Sequence, residues 1–408
     1  MITKVLCTAP LTSALVDTNK GVRPCCTFEG KYIGNLKNES LINIINSSEW
    51  KKLKEQMYNH QWPKPCLSCK EREAKTGWSV RKLYTDGTFD VTGWDEEKLT
   101  YLEFNGSNIC NLACLHCSAG FSSRWVIDNK KAKKVFLTYD KDKQQRMSFM
   151  DPVSRGPYDN SKYRTLEMHL PNPDLILENL KQLNLTYLRT INLKGGEPLL
   201  NSETLTILNY LDGIDILQNI RIVLSSNGTF INQEILDAFK KCKSVTFNLS
   251  MDGIGELFNY IRYGDAKFED LEPVIAKLNE LPNINIDLQC SVMNYNIFNL
   301  LEMRQWVIEL SKKYNKVKRH LGFTNCVQYP RFLGLQTLSD NTRQELYNYY
   351  NQLPYADEFS SVLHTLQQEY SGDAIHNNWV EYTEMMETVR GNNIRNIVPR
   401  MASELVFK

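Results

Sequence analysis

Cys110, Cys114 and Cys117 fall within one short stretch, spaced C-x3-C-x2-C. Thiolates are soft ligands that suit zinc or iron–sulfur clusters. A cubane has four irons, so three thiolates leave one iron without a protein ligand. An open metal position is where a catalytic site admits something else. Structural zinc takes four protein ligands, usually as two separated pairs. This stretch offers three cysteines, with His116 between two of them, so a fourth ligand would have to come from far along the chain. The run favours a cluster with an open iron over a closed zinc site.

Two other groups could do chemistry. Cys7, Cys25, Cys26, Cys66 and Cys69 lie in the first 70 residues, the last two as C-x2-C. Ligand counting alone allows zinc or a cluster there. Gly195-Gly196-Glu197-Pro198 pairs two glycines with a carboxylate. The glycines let backbone approach a ligand closely, and the carboxylate can accept from an ammonium group.

The elements that must position these groups are legible in the alternation of strands and helices. Residues 100–105, 190–194, 220–225, 244–250, 284–292 and 321–327 read as six strands with helical stretches between them, an α/β pattern with a parallel sheet. The three-cysteine loop follows the first strand, and Gly195-Gly196-Glu197-Pro198 follows the second. Ser226-Asn227-Gly228-Thr229 follows the third, and Ser250-Met251-Asp252-Gly253 ends the fourth, with Arg262 beyond it. In such folds the carboxyl ends of strands carry the site. Cys242, Cys290 and Cys326 read as core thiols, with Cys326 nearest a strand end.

Before the strands, residues 48–57 read as an amphipathic helix begun by a serine cap, and 76–99 as a linker. The gap from 118 to 189 holds basic runs at 130–134 and 141–146. Such runs are usually a solvated helix face, the alternative being a cap that grips an acidic or polymeric substrate. Residues 341–353, 359–369 and 379–390 have helical periodicity.

The cysteine run, the Gly-Gly-Glu-Pro step and the strand order together resemble the radical S-adenosylmethionine (SAM) superfamily. The resemblance implies a partial (β/α)6 barrel over 100–330 and a [4Fe–4S] cluster on Cys110, Cys114 and Cys117, with SAM on the open iron. It implies that Gly195, Gly196, Glu197 and Pro198 bind the SAM amino group and that Ser250 of a Ser-x-Asp-Gly step reaches the ribose. It assigns Arg262 to the SAM carboxylate, and places His116, Asn227 and Asp252 in the same site. Residues 1–75 resemble the twitch domain, a shortened SPASM domain, holding an auxiliary [4Fe–4S] cluster on Cys7, Cys25, Cys66 and Cys69. Here Gly21 has three residues before Cys25 and four before Cys26, so Cys26 remains an alternative to Cys25. Residues 331–408 are then a helical C-terminal region. The activity implied is reductive cleavage of SAM to a 5′-deoxyadenosyl radical, which takes hydrogen from a peptide or small molecule. An external one-electron reductant of flavodoxin or ferredoxin type would feed it. The catalytic base is not assigned by any motif.

Composition bounds the alternatives. The 408 residues include 48 Lys plus Arg against 47 Asp plus Glu, which gives no overall polyanion-binding footprint. A radical enzyme acting on a nucleotide or nucleic acid would rest on the runs at 130–146 alone. A non-catalytic cysteine-rich metal-binding protein is the reading of another class. No apolar run is long enough to cross a membrane, and the start lacks signal-peptide regions, so a reducing cytoplasm is expected. There, eleven cysteines are ligands, reactive thiols or core residues rather than disulfides.

Overall fold

The computed structural model describes residues 5–86, 98–147 and 170–408. One sheet of eight strands runs in the order β2-β1-β3-β4-β5-β6-β7-β8. The strands are β1 Ser13–Asp17, β2 Gly21–Arg23, β3 Tyr101–Asn105, β4 Thr190–Lys194, β5 Arg221–Ser226, β6 Ser244–Ser250, β7 Ile284–Val292 and β8 Val317–Cys326. From β3 to β8 every neighbouring pair is parallel. The helices Ser202–Gly213, Gln233–Lys241, Leu271–Asn279 and Leu300–Lys313 fall in the crossovers after β4, β5, β6 and β7. This is the α/β partial barrel that the six-strand pattern leads one to expect.

Strand β6 shows why the sheet forms and what it leaves open. Val245, Phe247 and Leu249 are buried in the main core, whereas Thr246, Asn248 and Ser250 are only half-buried. Each buried apolar side chain contributes about 1.5–3 kcal/mol. The polar set continues across β7, where Thr246, Asn248 and Ser250 pair with Asn285, Asp287 and Gln289. Parallel sheets usually bury apolar residues on both faces. Here one face stays polar, so it can receive a polar ligand.

The amino-terminal segment joins the sheet of the barrel. Strand β1 pairs in parallel with β3, from Ser13↔Tyr101 to Asp17↔Asn105, and β2 returns as an antiparallel edge. All five residues of β1 are buried, and they satisfy the backbone edge that β3 would otherwise expose. Within the stretch 76–99, the described residues include one helix. Val80–Thr85 is a helix, and its Tyr84 packs edge-on against Tyr101 at 5.9 Å. Arg81 holds it down with two hydrogen bonds to Glu73, at 2.8 and 2.7 Å, and one to the Leu6 carbonyl at 2.7 Å.

The C-terminal region is helical, with Asp340–Asn351, Ser360–Leu366 and Asp373–Arg390 as its main elements. The basic runs fall on the helices Ser123–Phe136 and Lys141–Arg146. Lys130, Lys131, Lys133 and Lys134 face solvent, while Lys143 and Arg146 pair with Glu384 and Glu381 at 3.5 and 3.0 Å. That is the solvated-face reading of the runs. No helix among the described residues is long and apolar enough to cross a membrane.

Candidate functional site

The loop after β3 brings Cys110, Cys114 and Cys117 to one cavity of about 900 Å³, walled also by Gly195, Gly196, Glu197, Asn227, Ser250 and Arg262. It sits at the carboxyl ends of β3 to β6, where the strand order places it. The loop is braced from the far side by residues 261–264. Ala113 N–H donates to the Tyr263 carbonyl at 2.6 Å, and Leu115 N–H to the Ile261 carbonyl at 2.9 Å.

The glycines are needed for close approach. Gly195 has φ near +120°, a region that side chains rarely adopt. A Cβ on Gly196 would lie 2.2 Å from the Ile109 carbonyl oxygen. The Gly-Gly step therefore packs directly against the start of the cysteine loop. Glu197, 1% exposed, locks that step to the end of β5. It accepts from Ser226 Oγ at 2.7 Å, from Asn227 N–H at 2.7 Å and from Leu199 N–H at 3.1 Å. Burial raises its pKa above the usual carboxylate range, against those three donors. Pro198 is buried and starts the short turn Pro198–Leu200; it does not line the cavity.

Asn227 ties β5 to the loop. Its amide donates to Asn111 Oδ1 at 2.8 Å and lies 3.9 Å from Cys110 Sγ, while its oxygen accepts from Thr229. Arg262 is buried and donates to Asp252 Oδ2 at 2.6 Å. Burial works to lower its pKa but is outweighed by Cys114 and Asp252, so it is held charged. Asp252 itself does not line the cavity. Its other oxygen accepts from Ser291 N–H at 2.7 Å, so it orients Arg262 and ties β6 to β7. His116 lines the cavity with Nε2 3.8 Å from Asp252 Oδ2, and burial lowers its pKa.

Two substitutions test this wiring. Asp252→Ala leaves the Arg262 guanidinium buried without its partner, a change that costs about 3–5 kcal/mol. Urea unfolding should show that loss, and an unchanged midpoint would rule the pair out as a structural element. Glu197→Ala deprives three buried donors of their acceptor, and each such donor costs about 1–3 kcal/mol. It is expected to lower the melting temperature and SAM affinity together. Glu197→Gln keeps one acceptor oxygen and should separate the two effects, since it loses charge but little shape. Calorimetric SAM binding equal to wild type in Glu197→Gln would remove Glu197 charge from the binding account.

The second thiol group gathers without the first. Cys7, Cys25, Cys66 and Cys69 line one small, mostly apolar pocket with Thr27, Met57, Trp62 and Tyr84. Thr27 Oγ1 lies 3.6 Å from Cys25 Sγ and 3.5 Å from Cys69 Sγ. Cys26 is exposed and lines a different cleft. Burial pushes the thiols of Cys7, Cys25, Cys66 and Cys110 up to about 12, and raises those of Cys114 and Cys117 as well. Such groups become thiolates when a bound cation reverses the local balance. Among the described residues, no three His, Cys, Asp or Glu converge as one metal ion would need. Each group lines a pocket of its own.

The cleft that Cys26 lines measures about 1300 Å³. It shares Phe121 with the first cavity, and Thr27, Val80 and Cys69 with the second thiol pocket. Lys20, Arg23, Lys31 and Arg72 line it beside Asp17 and Glu29. Sequence reasoning missed this cleft, because its walls come from four separate segments. Cys242, Cys290 and Cys326 lie elsewhere. Cys326 Sγ is 3.6 Å from the Ser361 carbonyl and does not line the cavity.

Comparison with known proteins gives two family matches. Residues 104–288 match the Radical SAM superfamily, and residues 7–70 match SPASM, an iron–sulfur cluster-binding domain. No curated protein matches the chain significantly. Similar solved structures include native anSMEcpe with bound AdoMet, 17% identical with a TM-score of 0.37, matched over 72% of this chain and 62% of that one. Another is native anSMEcpe with bound AdoMet and Kp18Cys peptide, 16% identical with a TM-score of 0.37, over 62% and 60%. The chain thus spans less than two thirds of the length of these structures.

Proposed function

We propose that this chain, which belongs to the radical SAM superfamily and is an enzyme of that class, oxidises a polar peptide or small molecule held between its two thiol groups. Its cofactors are a [4Fe–4S] cluster, SAM and, through the SPASM domain, auxiliary iron–sulfur. When bound, these supply one-electron cleavage of SAM, a radical that takes hydrogen from substrate, and an acceptor for the electron that the substrate then gives up. In this reading Cys110, Cys114 and Cys117 hold the SAM-binding cluster, and Cys7, Cys25, Cys66 and Cys69 the auxiliary one.

The residues of the chain do the rest. Gly195 and Gly196 give SAM a close backbone wall. Glu197 offers negative charge and Arg262 positive charge on the same cavity, matching the two ends of an amino acid group. Ser250, at the end of β6, offers a hydroxyl. The polar face of β6 and β7 suits a polar substrate. An external one-electron reductant is part of the proposal.

The observation that carries this reading is the 1300 Å³ cleft, which is lined by Cys69 of the second thiol group and shares Phe121 with the cavity of the first. Substrate there would lie next to the SAM cavity at Phe121 and next to the second thiol group at Cys69. The test uses cell extract grown in heavy water and split into peptide, small-molecule and nucleic-acid fractions. Reconstituted enzyme is given each fraction with SAM and dithionite. Deuterium should appear in 5′-deoxyadenosine from the peptide or small-molecule fraction. Transfer from the nucleic-acid fraction alone would overturn the substrate class, and no SAM cleavage at all would return the chain to a metal-binding role.

A further inference from the structure

The helix Asp373–Arg390 lies more than 250 residues beyond the cysteine loop, yet it grips that loop from behind. Ile375, Asn378, Tyr382 and Arg390 recur at the spacing of one helix face. Ile375 and Asn378 line the SAM cavity. Tyr382, fully buried, donates from its hydroxyl to the Leu115 carbonyl at 2.9 Å. Arg390 Nη2 donates to the Ala113 carbonyl at 2.6 Å. Between them, Trp125 Nε1 donates to the Cys114 carbonyl at 2.9 Å.

Three successive carbonyls, at 113, 114 and 115, thus each receive a side-chain donor. A loop that turns three thiols toward one cavity leaves buried carbonyls behind it, and these must be satisfied. The sequence supplies the donors at a cost. Arg390 carries a side chain 1% exposed, offset by Asp128, 0% exposed, at 3.1 Å. Its guanidinium also lies over the rings of Trp125 at 5.1 Å and Tyr263 at 4.7 Å. A buried ion pair is a weak source of stability compared with apolar packing. Its use here points to orientation: the guanidinium fork holds Asp128 and the loop carbonyl at once.

We infer that Tyr382 and Arg390 are positioning residues for the SAM-binding cluster, and that the C-terminal helix is a working part of the cluster site rather than a cover. This rests on the reading of Cys110, Cys114 and Cys117 as cluster ligands. The fork and the hydroxyl fix the backbone of the middle cysteine, and so the spread of the three thiolates. Partners that orient metal ligands from behind are known to set affinity and electronic properties.

The test compares wild type with Tyr382→Phe and Arg390→Lys after anaerobic reconstitution of the full chain. Tyr382→Phe removes one donor and keeps the ring. Arg390→Lys keeps the charge opposite Asp128 but cannot span both partners. Three quantities are read: iron release to a chelator, the paramagnetic resonance of the reduced protein with and without SAM, and the thermal midpoint. In both variants the SAM-responsive iron should leave roughly tenfold faster, with an altered SAM-bound signal. The iron that ignores SAM should leave at the wild-type rate. Both variants showing wild-type release and spectra, whatever their thermal midpoints, would overturn the inference. A lower midpoint with those two readouts unmoved means the helix only packs. Wild type with no SAM-responsive iron would instead overturn the ligand assignment beneath it.

Discussion

Cys114→Ala is expected to abolish the SAM-dependent formation of 5′-deoxyadenosine. Cys114 is buried between the other two cysteines, and its backbone is fixed by its neighbours rather than by its own thiol. Its carbonyl is held by Trp125, and the flanking residues are bonded to 261 and 263. Removing Sγ therefore takes away a ligand and leaves the loop in place. Two thiolates remain for a cluster that needs three, so SAM loses its iron. The measurement is 5′-deoxyadenosine by chromatography after dithionite reduction, with iron content and the thermal midpoint beside it. A folded variant that still makes the nucleoside at the wild-type rate would remove the three-cysteine loop from the chemistry. The same variant should leave the auxiliary iron untouched.

The second large effect concerns metal content. With Cys110, Cys114 and Cys117 all changed to alanine, the reconstituted chain should keep about four irons of an original eight or so. Zinc at the amino-terminal thiols would give about one zinc and no iron in the same variant. Single changes then address the register that the Gly21 spacing leaves open. Cys25 lines the pocket with Cys7, Cys66 and Cys69, whereas Cys26 faces the neighbouring cleft. Cys25→Ala should therefore bleach the auxiliary cluster, and Cys26→Ala should not. Metal binding also folds small thiol-rich segments. Loss of Cys25 should make the first 86 residues sensitive to protease, and helix Val80–Thr85 is the element to watch, since Arg81 and Tyr84 tie it to that site. Iron retained in Cys25→Ala and lost in Cys26→Ala would reverse the assignment.

Much of the site was legible because its chemistry is local. The three thiols of the first group come from one short loop, so Cys110, Cys114 and Cys117 announce themselves by spacing. A backbone that must pass close to a ligand needs glycine, so Gly195 and Gly196 stand out before a carboxylate. The six barrel strands were legible because each carries its own apolar alternation, as Val245, Phe247 and Leu249 do in β6. Side-chain period is a property of the strand alone.

What spacing left undecided depends on contacts between distant segments. Asp252 sits in a motif, yet a buried arginine ten residues on and the backbone of β7 claim its two oxygens. The choice between Cys25 and Cys26 turns on which way each of two adjacent residues faces. The pairing of β1 with β3 joins segments more than eighty residues apart. The sequence by itself determined which groups can bind metal and which strands carry them, because those are requirements of residue type and period. Only the tertiary structure decided which polar groups face the cavity and which stand behind it, and that Tyr382 and Arg390 hold the cysteine loop. The physical reason is that buried carbonyls and charges take whatever partner the packing brings, and no local pattern records the partner.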